Sequence, residues 1–486
     1  MKAMAQISMA RSAAHAMLLA IEAGMGHADD LLRDDPMMAR MADADRRLTT
    51  TLVLGVLRWQ ILLDQEIHRF LFKPKAKFDA EVLIALRLGA LQLLHLDRIP
   101  AHAAIDESVE LTKRSGYGSA AGLVNAVLRK IANAAQEQNQ DGEPGSETGP
   151  VSGRESRHAD VSGKSTGTFA PEGSSLPAIA AHPAWMVERW TRFFGKENAA
   201  AICMHDQSPP AAAIRLASAN VDEELGAARL TLSPGHLLAI ARLVESGDLM
   251  GTAAFRESRV RLQDEGSQLV AEIAAIAVGG TGTIRILDCC AAPGGKTLIL
   301  GERNPSARIV ACEASRPRLK QLQDRLSALG EQVECRLADA MALRFESEFD
   351  VALADVPCSG TGTLGRNPEI RHRLQPEDLA RQAQRQQAIL ASALRAVRPG
   401  GRVVYSTCSL EPEENEEVVR AVAGEAKDAY IVPLGPSLEA LRNRGILIEA
   451  AGKRLEGALS QEGFLQLIPG LFGTDGFFIA MIEKGR

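Results

Sequence analysis

Aromatic side chains are scarce in this chain. Phe, Trp and Tyr make up 4% of the 486 residues, with three Trp and three Tyr, so there is no long platform on which successive bases could stack. Positive charge is not in excess either. The 55 Lys and Arg face 61 Asp and Glu for a net charge of −6, which excludes a uniformly basic coat and confines any nucleic-acid site to a local patch. The seven cysteines, at 203, 289, 290, 312, 335, 358 and 408, form no CxxC pair and no Cys/His spacing suited to zinc. No metal is therefore expected, and a reducing cytoplasm fits best. No uncharged stretch approaches the roughly 18 residues of a membrane span. The apolar run from Ala13 to Ala23 is interrupted by His15 and Glu22, unlike a signal peptide, so a soluble, unexported protein with no membrane partner is expected. Phosphate loops need GxxxxGK followed by Ser or Thr, and dinucleotide folds usually show GxGxxG. The segment Ala291–Thr297, AAPGGKT, has neither pattern, which argues against ATP and NAD.

What the chain does have is enough apolar material, 46%, for two or three domains. Over residues 1–135, Leu52, Val53, Val56, Leu57, Leu63, Ile67, Phe70 and Leu71 recur at helical spacing, with similar stripes over 80–96 and 119–133, which predicts an all-helical domain. Its 17 basic residues barely exceed its 15 acidic ones. Lys73, Lys75, Lys77 and the pair Arg129, Lys130 are local phosphate-contact candidates, set against the plainer reading of a solvated face. From 136 to 181 the composition turns to Gly, Ser, Glu, Thr and Pro, too poor in apolar surface to offset ordering, and a flexible linker is expected. A connecting α+β segment over 182–259 follows.

From residue 260 to 486 the pattern alternates. The β-rich runs IRILDC, RIVACE, VECRLA, FDVALAD and RVVYSTC are separated by helix-like stretches such as 315–329 and 376–397, which predicts a Rossmann-like α/β domain with a mostly parallel sheet. Near the end, Thr474-Asp475-Gly476 leads into FFIAMI, consistent with a tight turn into a final antiparallel strand.

The chemistry-bearing residues sit where these strands end. IRILD runs into Cys289-Cys290-Ala291-Ala292-Pro293-Gly294-Gly295-Lys296-Thr297, a turn that lets backbone approach a ligand as a helix begins. Glu313 closes the second strand, 19 residues beyond Gly294, where a carboxylate can accept both hydroxyls of a ribose; Asp339 follows the third strand and Asp355 ends the fourth. A ligand laid across these ends would meet all three carboxylates, and S-adenosylmethionine, with its polar amino acid end, is the natural candidate. The plainer reading is an ordinary set of acidic strand ends. Two thiols are placed alike, Cys358 after FDVALADVP and Cys408 after VVYST, which suggests covalent catalysis on a bound group.

CAAPGGK (Cys290–Lys296), DVPCSGTG (Asp355–Gly362), STCS (Ser406–Ser409) and PEEN (Pro412–Asn415) resemble the motifs of the cytosine-C5 RNA methyltransferases of the Sun (Fmu) family. RRLTTTLVLGVLRW and GLVNAVLRKI resemble the NusB-type RNA-binding helical domain, and the two together match the RsmB branch, which acts on small-subunit (16S) ribosomal RNA. The resemblance covers most of the chain except 136–181. It implies that Cys290, Ala291, Ala292, Pro293, Gly294, Gly295, Lys296, Glu313, Asp339 and Asp355 surround S-adenosylmethionine, that Cys408 is the nucleophile, and that Cys358 assists product release. Glu313 stands where relatives often have Asp.

Carbon C5 of cytosine is a poor nucleophile. A thiolate adding to C6 moves electron density to C5, and Asp355 is suited to the cytosine N3/N4 edge, where it would relieve the charge that builds on the ring. Pro412 and the acidic residues after it read as a helix start whose positive end would favour a Cys408 thiolate, although Glu413 and Glu414 oppose that effect. Cys289, Cys312 and Cys335, inside strand-like runs, read as packed thiols. Arg366, Arg371, Arg373, Arg381 and Arg385 form a candidate phosphate-binding rim, balanced by the alternative of a charge-compensated surface. The expected protein is a monomeric methyltransferase making 5-methylcytosine in small-subunit ribosomal RNA. Transfer RNA as substrate, or a non-catalytic RNA-binding assembly or antitermination factor, are the alternatives.

Overall fold

The computed structural model describes residues 7–71, 77–141, 176–277, 283–426 and 428–486. The chain divides into two units, Met1–Glu188 with Asn367–Glu369, and Arg189–Arg366 with Ile370–Arg486.

The first unit is helical, with Met9–Glu22, Asp43–Arg69, Ala80–His95, Ala101–Arg114 and Ala121–Asp141 as its main helices. The predicted stripe is its core: Leu52, Val53, Val56, Leu63 and Ile67 are buried together with Leu86, Leu91, Val124, Leu128 and Ile131. Gly89 sets how closely two of these helices approach, because a Cβ there would lie 2.5 Å from Leu128 Cδ1. Helix Ala121–Asp141 runs past the expected linker start at 136, and Leu176–Ala180 is helical as well. Residues 142–175 of that expected linker lie outside the described residues, as do Lys73 and Lys75. Lys77, Arg129 and Lys130 are exposed.

The second unit holds two sheets. In the first, strands β1 (Ala212–Leu216), β2 (Thr231–Pro234), β3 (Ala241–Ser246) and β4 (Val260–Leu262) pair antiparallel in the order β2-β3-β1-β4. This sheet therefore reaches three residues beyond the expected boundary at 259. Its core is Ile214, Leu216, Val221, Leu225, Leu249 and Val260.

The second sheet holds β5 (Arg285–Asp288), β6 (Arg308–Glu313), β7 (Val333–Leu337), β8 (Phe349–Asp355), β9 (Val397–Thr407), β10 (Ala429–Val432), β11 (Leu465–Leu467) and β12 (Phe477–Lys484). Their order is β10-β12-β9-β8-β5-β6-β7, with β11 also on β12. The five strands from β9 to β7 are parallel, and β12 runs antiparallel to β9. The strands read as continuous apolar runs because both faces are covered. Along β8, Val351 and Leu353 join one core with Leu269, Val270 and Ile273 of helix Glu265–Ile276, while Ala352 and Ala354 join another with Ile389, Leu390 and Ala393 of helix Pro376–Ala396. That second helix starts with Pro376 at its first position and with the Gln375 N–H donating to Asp378 at 2.9 Å.

Strand β5 is followed along the chain by β6 on one side of it and has β8 on the other, so the sheet order reverses beside β5. Ligands of open α/β sheets bind at the carboxyl ends flanking such a reversal.

Candidate active site

Adjacent carboxyl ends bring the distant motifs together. Cys408 follows β9, Asp355 ends β8 and is trailed by Cys358, the Cys289–Lys296 turn follows β5, Glu313 ends β6, and Asp339 lies two residues past β7. At the turn, Gly294 has φ +99° and opens helix Gly295–Arg303; an L side chain there would be strained and would bring a Cβ to 3.0 Å from Leu322 Cδ1.

Glu313, Asp339 and Asp355 line one cavity of about 220 Å³ with Cys290, Ala292, Val356, Pro357, Arg318 and Arg385. The carboxylates are anchored by local backbone: Glu313 Oε1 accepts from Ser315 N at 2.8 Å, and Asp339 Oδ1 from Met341 N at 2.9 Å. Arg318 Nη2 donates to the Ala292 carbonyl at 3.0 Å, so a cation borders the cavity beside the Cys290–Lys296 turn. Three carboxylates at successive strand ends and an adjoining glycine turn fit a ligand with a ribose and a polar tail.

The expected cofactor residues split between two cavities. Ala291, Pro293, Gly295 and Lys296 line a second, of about 110 Å³, with Asp288, Gln263, Ser267 and Arg325, and Cys290, Ala292 and Asp355 border both. Gly294 lines neither; its part is the turn. Asp355 is held from two sides, by Lys296 Nζ at 2.7 Å and by the Ser406 hydroxyl donating at 2.7 Å. Burial lowers the pKa of Lys296, but the charge and hydrogen bond of Asp355, with help from Cys408 and Asp288, leave it raised. Beneath the turn, buried Asp288 accepts from Thr297 Oγ1 at 2.7 Å, and burial pushes its pKa up to about 6.

The two thiols meet. Cys358 Sγ and Cys408 Sγ are 3.2 Å apart, both free and half-buried. The hydrogen bond to Cys408 raises the Cys358 pKa well above its ordinary value, with burial and the charges of Cys408 and Glu414 adding to the effect. Cys289 and Cys312 are buried, and burial pushes the Cys312 pKa up to about 12. Cys335 is half-buried against the cluster of Ala291, Leu322 and Leu326.

Two expectations need correction. Pro412–Glu414 is a single 3-10 turn, and Asn415, at φ −107° and ψ −108°, separates it from helix Glu416–Glu425. No helix starts at Pro412 to polarise Cys408. The arginines do not form one rim either. Arg366 is paired with Asp475 at 2.7 Å and Asp264 at 3.4 Å, Arg371 is buried, exposed Arg381 pairs with Asp378 one turn earlier, and Arg385 borders the carboxylate-lined cavity. Charge compensation, the plainer alternative, describes Arg366 and Arg381. Finally, sequence reasoning missed Arg318, Ser406 and the inward turn of Glu414. Glu414 was read only within PEEN and as a charge opposing the helix end, and its partners Ser359 and Gln386 lie 55 and 28 positions away.

Among the described residues no group of His, Cys, Asp and Glu is arranged to hold a metal ion, and no helix is long and apolar enough to cross a membrane. Residues 279–483 match the family model "16S rRNA methyltransferase RsmB/F" and residues 8–133 that of the NusB family. A Bacillus subtilis protein described as a probable ribosomal RNA small subunit methyltransferase B is 31% identical over 96% of this chain and 97% of its own length. The ribosomal RNA small subunit methyltransferase B of Pseudomonas putida is 30% identical over 92% of each. The crystal structure of PH0851 has the same fold, with a TM-score of 0.71 at 22% identity over 99% of this chain and 100% of that one. Sheet, site and near full-length similarity agree: the chain belongs to the RsmB/F family of ribosomal RNA methyltransferases, with a NusB-family domain at its N-terminal end.

Proposed function

We infer that this protein uses S-adenosylmethionine to methylate C5 of a cytosine in small-subunit ribosomal RNA, through a covalent bond between Cys408 and C6 of the base. The observation that carries the reading is the 3.2 Å meeting of Cys358 and Cys408, near an Asp355–Lys296 pair that borders both the carboxylate-lined cavity and its neighbour. Two thiols serve two successive needs, adding to the ring and then letting it go.

Glu313 would hold the ribose hydroxyls, Asp339 the adenine edge, and Asp355 with the backbone of the Cys290–Lys296 turn the amino acid end. When bound, S-adenosylmethionine supplies an electrophilic methyl group. The chain does the rest. The Cys408 thiolate attacks C6 of a base that has left its stack, and the pair of electrons displaced from the C5–C6 bond makes C5 nucleophilic. Asp355, aligned by Ser406 and Lys296, steadies the N3/N4 edge while charge grows on the ring. Once C5 carries the methyl group, transfer of its proton to water returns an electron pair to the ring and expels Cys408 as thiolate. Cys358, the neighbour whose thiol resists ionisation, receives that sulfur with a hydrogen bond.

The protein is proposed to work in the cytoplasm as a monomer on RNA. The test is methyl transfer from labelled S-adenosylmethionine into purified small-subunit ribosomal RNA and into transfer RNA, with nucleoside analysis of the product. Label in 5-methylcytosine of the ribosomal RNA is expected. Label only in transfer RNA, or only at another base position, would contradict the reading.

A further inference from the structure

Behind the two thiols lies a carboxylate that the chemistry above does not use. Glu414 is fully buried, with no cation paired to it by any ion pair among the described residues. Donors converge on it from three elements. Ser359 N donates at 2.8 Å to one oxygen, which also receives Gln386 Nε2 at 2.9 Å. The other oxygen receives Ser409 Oγ at 2.5 Å and Ser359 Oγ. Ser359 follows Cys358 and Ser409 follows Cys408, so one side chain ties together the residues immediately after both thiols.

A buried carboxylate that accepts from several hydrogen-bond donors fixes their geometry, and its charge is screened little by water. The Glu414 oxygens bond the residues next to both thiols, and the charge of Glu414 adds to the hydrogen bond and burial that raise the Cys358 pKa. Lys296, itself paired with Asp355, lies toward Cys408.

We propose that Glu414 is a positioning residue for the reaction inferred above: it laces the Cys358 loop to the Cys408 loop and assigns the shared proton to Cys358, leaving Cys408 as the thiolate. The S–H of Cys358 then donates to Cys408 before attack and again after expulsion, and no net proton is consumed. The proposal rests on the reading of Cys408 as nucleophile.

Its test uses the full chain and iodoacetamide, with the modified cysteine located by peptide mass spectrometry across neutral and mildly alkaline pH. In the wild-type protein Cys408 should be alkylated at least about tenfold faster than Cys358. In Glu414→Gln that preference should shrink by about tenfold as Cys358 gains reactivity, and kcat should fall about tenfold or more with KM for RNA and methyl donor unchanged. Faster labelling of Cys358 in the wild type overturns the proposal even if the variant does not fold. An unaltered preference, or an unchanged kcat, in a folded Glu414→Gln protein overturns it as well. Because alkylation needs neither RNA nor methyl donor, it still reads the thiols if the cytosine-C5 assignment fails. Conversely, normal labelling with no 5-methylcytosine product would sink that assignment alone.

Discussion

At the scale of single residues, burial and charge decide what each polar group can do. Asp288 lies under the Cys290–Lys296 turn with its pKa pushed up to about 6 from an ordinary 3.8 by burial. Between these values the folded chain binds more protons than the unfolded one, so this group's contribution to stability falls as pH rises through the window. The shift corresponds to about 3 kcal/mol at the upper end. Asp288→Asn, whose amide oxygen can still accept from Thr297, should therefore gain stability relative to wild type when denaturation is measured at pH 7 rather than pH 4. A constant difference would show that Asp288 does not carry this burden. The candidate site residues stood out one by one, since Cys358, Cys408, Asp355, Glu313 and Asp339 each end or follow an apolar run. The roles of their neighbours did not. Glu414 reaches Ser359 across 55 positions, and Arg366 reaches Asp475 across 109, distances over which no local pattern announces a contact. The Asp475 contact took Arg366 out of the expected arginine rim, and the break at Asn415, equally silent in the sequence, removed the helix-end effect.

At the scale of elements, the site depends on loops that touch backbone to backbone. Gly362 N donates to the Cys408 carbonyl at 2.9 Å, and Gly476 N to the Gly362 carbonyl at 2.7 Å. A Cβ on Gly362 would lie 2.6 Å from Gly476 O and 2.9 Å from Cys408 O. Backbone cannot step aside cheaply, so Gly362→Ala should cost about 1–3 kcal/mol and lower methyl transfer by more than its loss of folded protein explains. Full specific activity in the folded fraction would show that the loops tolerate the shift. A second fastening is the buried Glu411, which accepts from Arg189 Nε at 2.7 Å and Trp190 Nε1 at 3.2 Å. Removing the guanidinium leaves a buried carboxylate with too few partners, so Arg189→Ala should destabilise by about 3 kcal/mol, against a smaller loss for Glu411→Gln. Urea titration of the two variants checks the order. Strands and helices were readable because β8 alternates cores residue by residue, a period-2 signal inside a continuous apolar run. The small sheet of β1 to β4 was read only as mixed structure, because its strands are short and β2 is largely exposed.

At the scale of the whole molecule, a helical NusB-family unit and a methyltransferase unit share one chain whose charge is close to balanced, so affinity for RNA must come from shaped local sites rather than from a general field. The parallel sheet provides the candidate one, because adjacent carboxyl ends gather segments from Asp288 to Cys408 that lie far apart along the chain. Ligand binding should therefore register in the stability of the folded chain. At 100 times its dissociation constant, S-adenosylhomocysteine should add about 2.7 kcal/mol, and Glu313→Ala should reduce that gain at the same ligand concentration. A thermal shift equal to wild type would remove Glu313 from the cofactor site.

The central claim is the transient bond between Cys408 and the pyrimidine, and intact-mass analysis of Cys358→Ser incubated with RNA and S-adenosylmethionine tests it most directly. The account predicts a protein–RNA species that survives denaturation and vanishes when Cys408 is also replaced by Ser. Continued turnover by Cys408→Ser, or an adduct that persists without that sulfur, would contradict it.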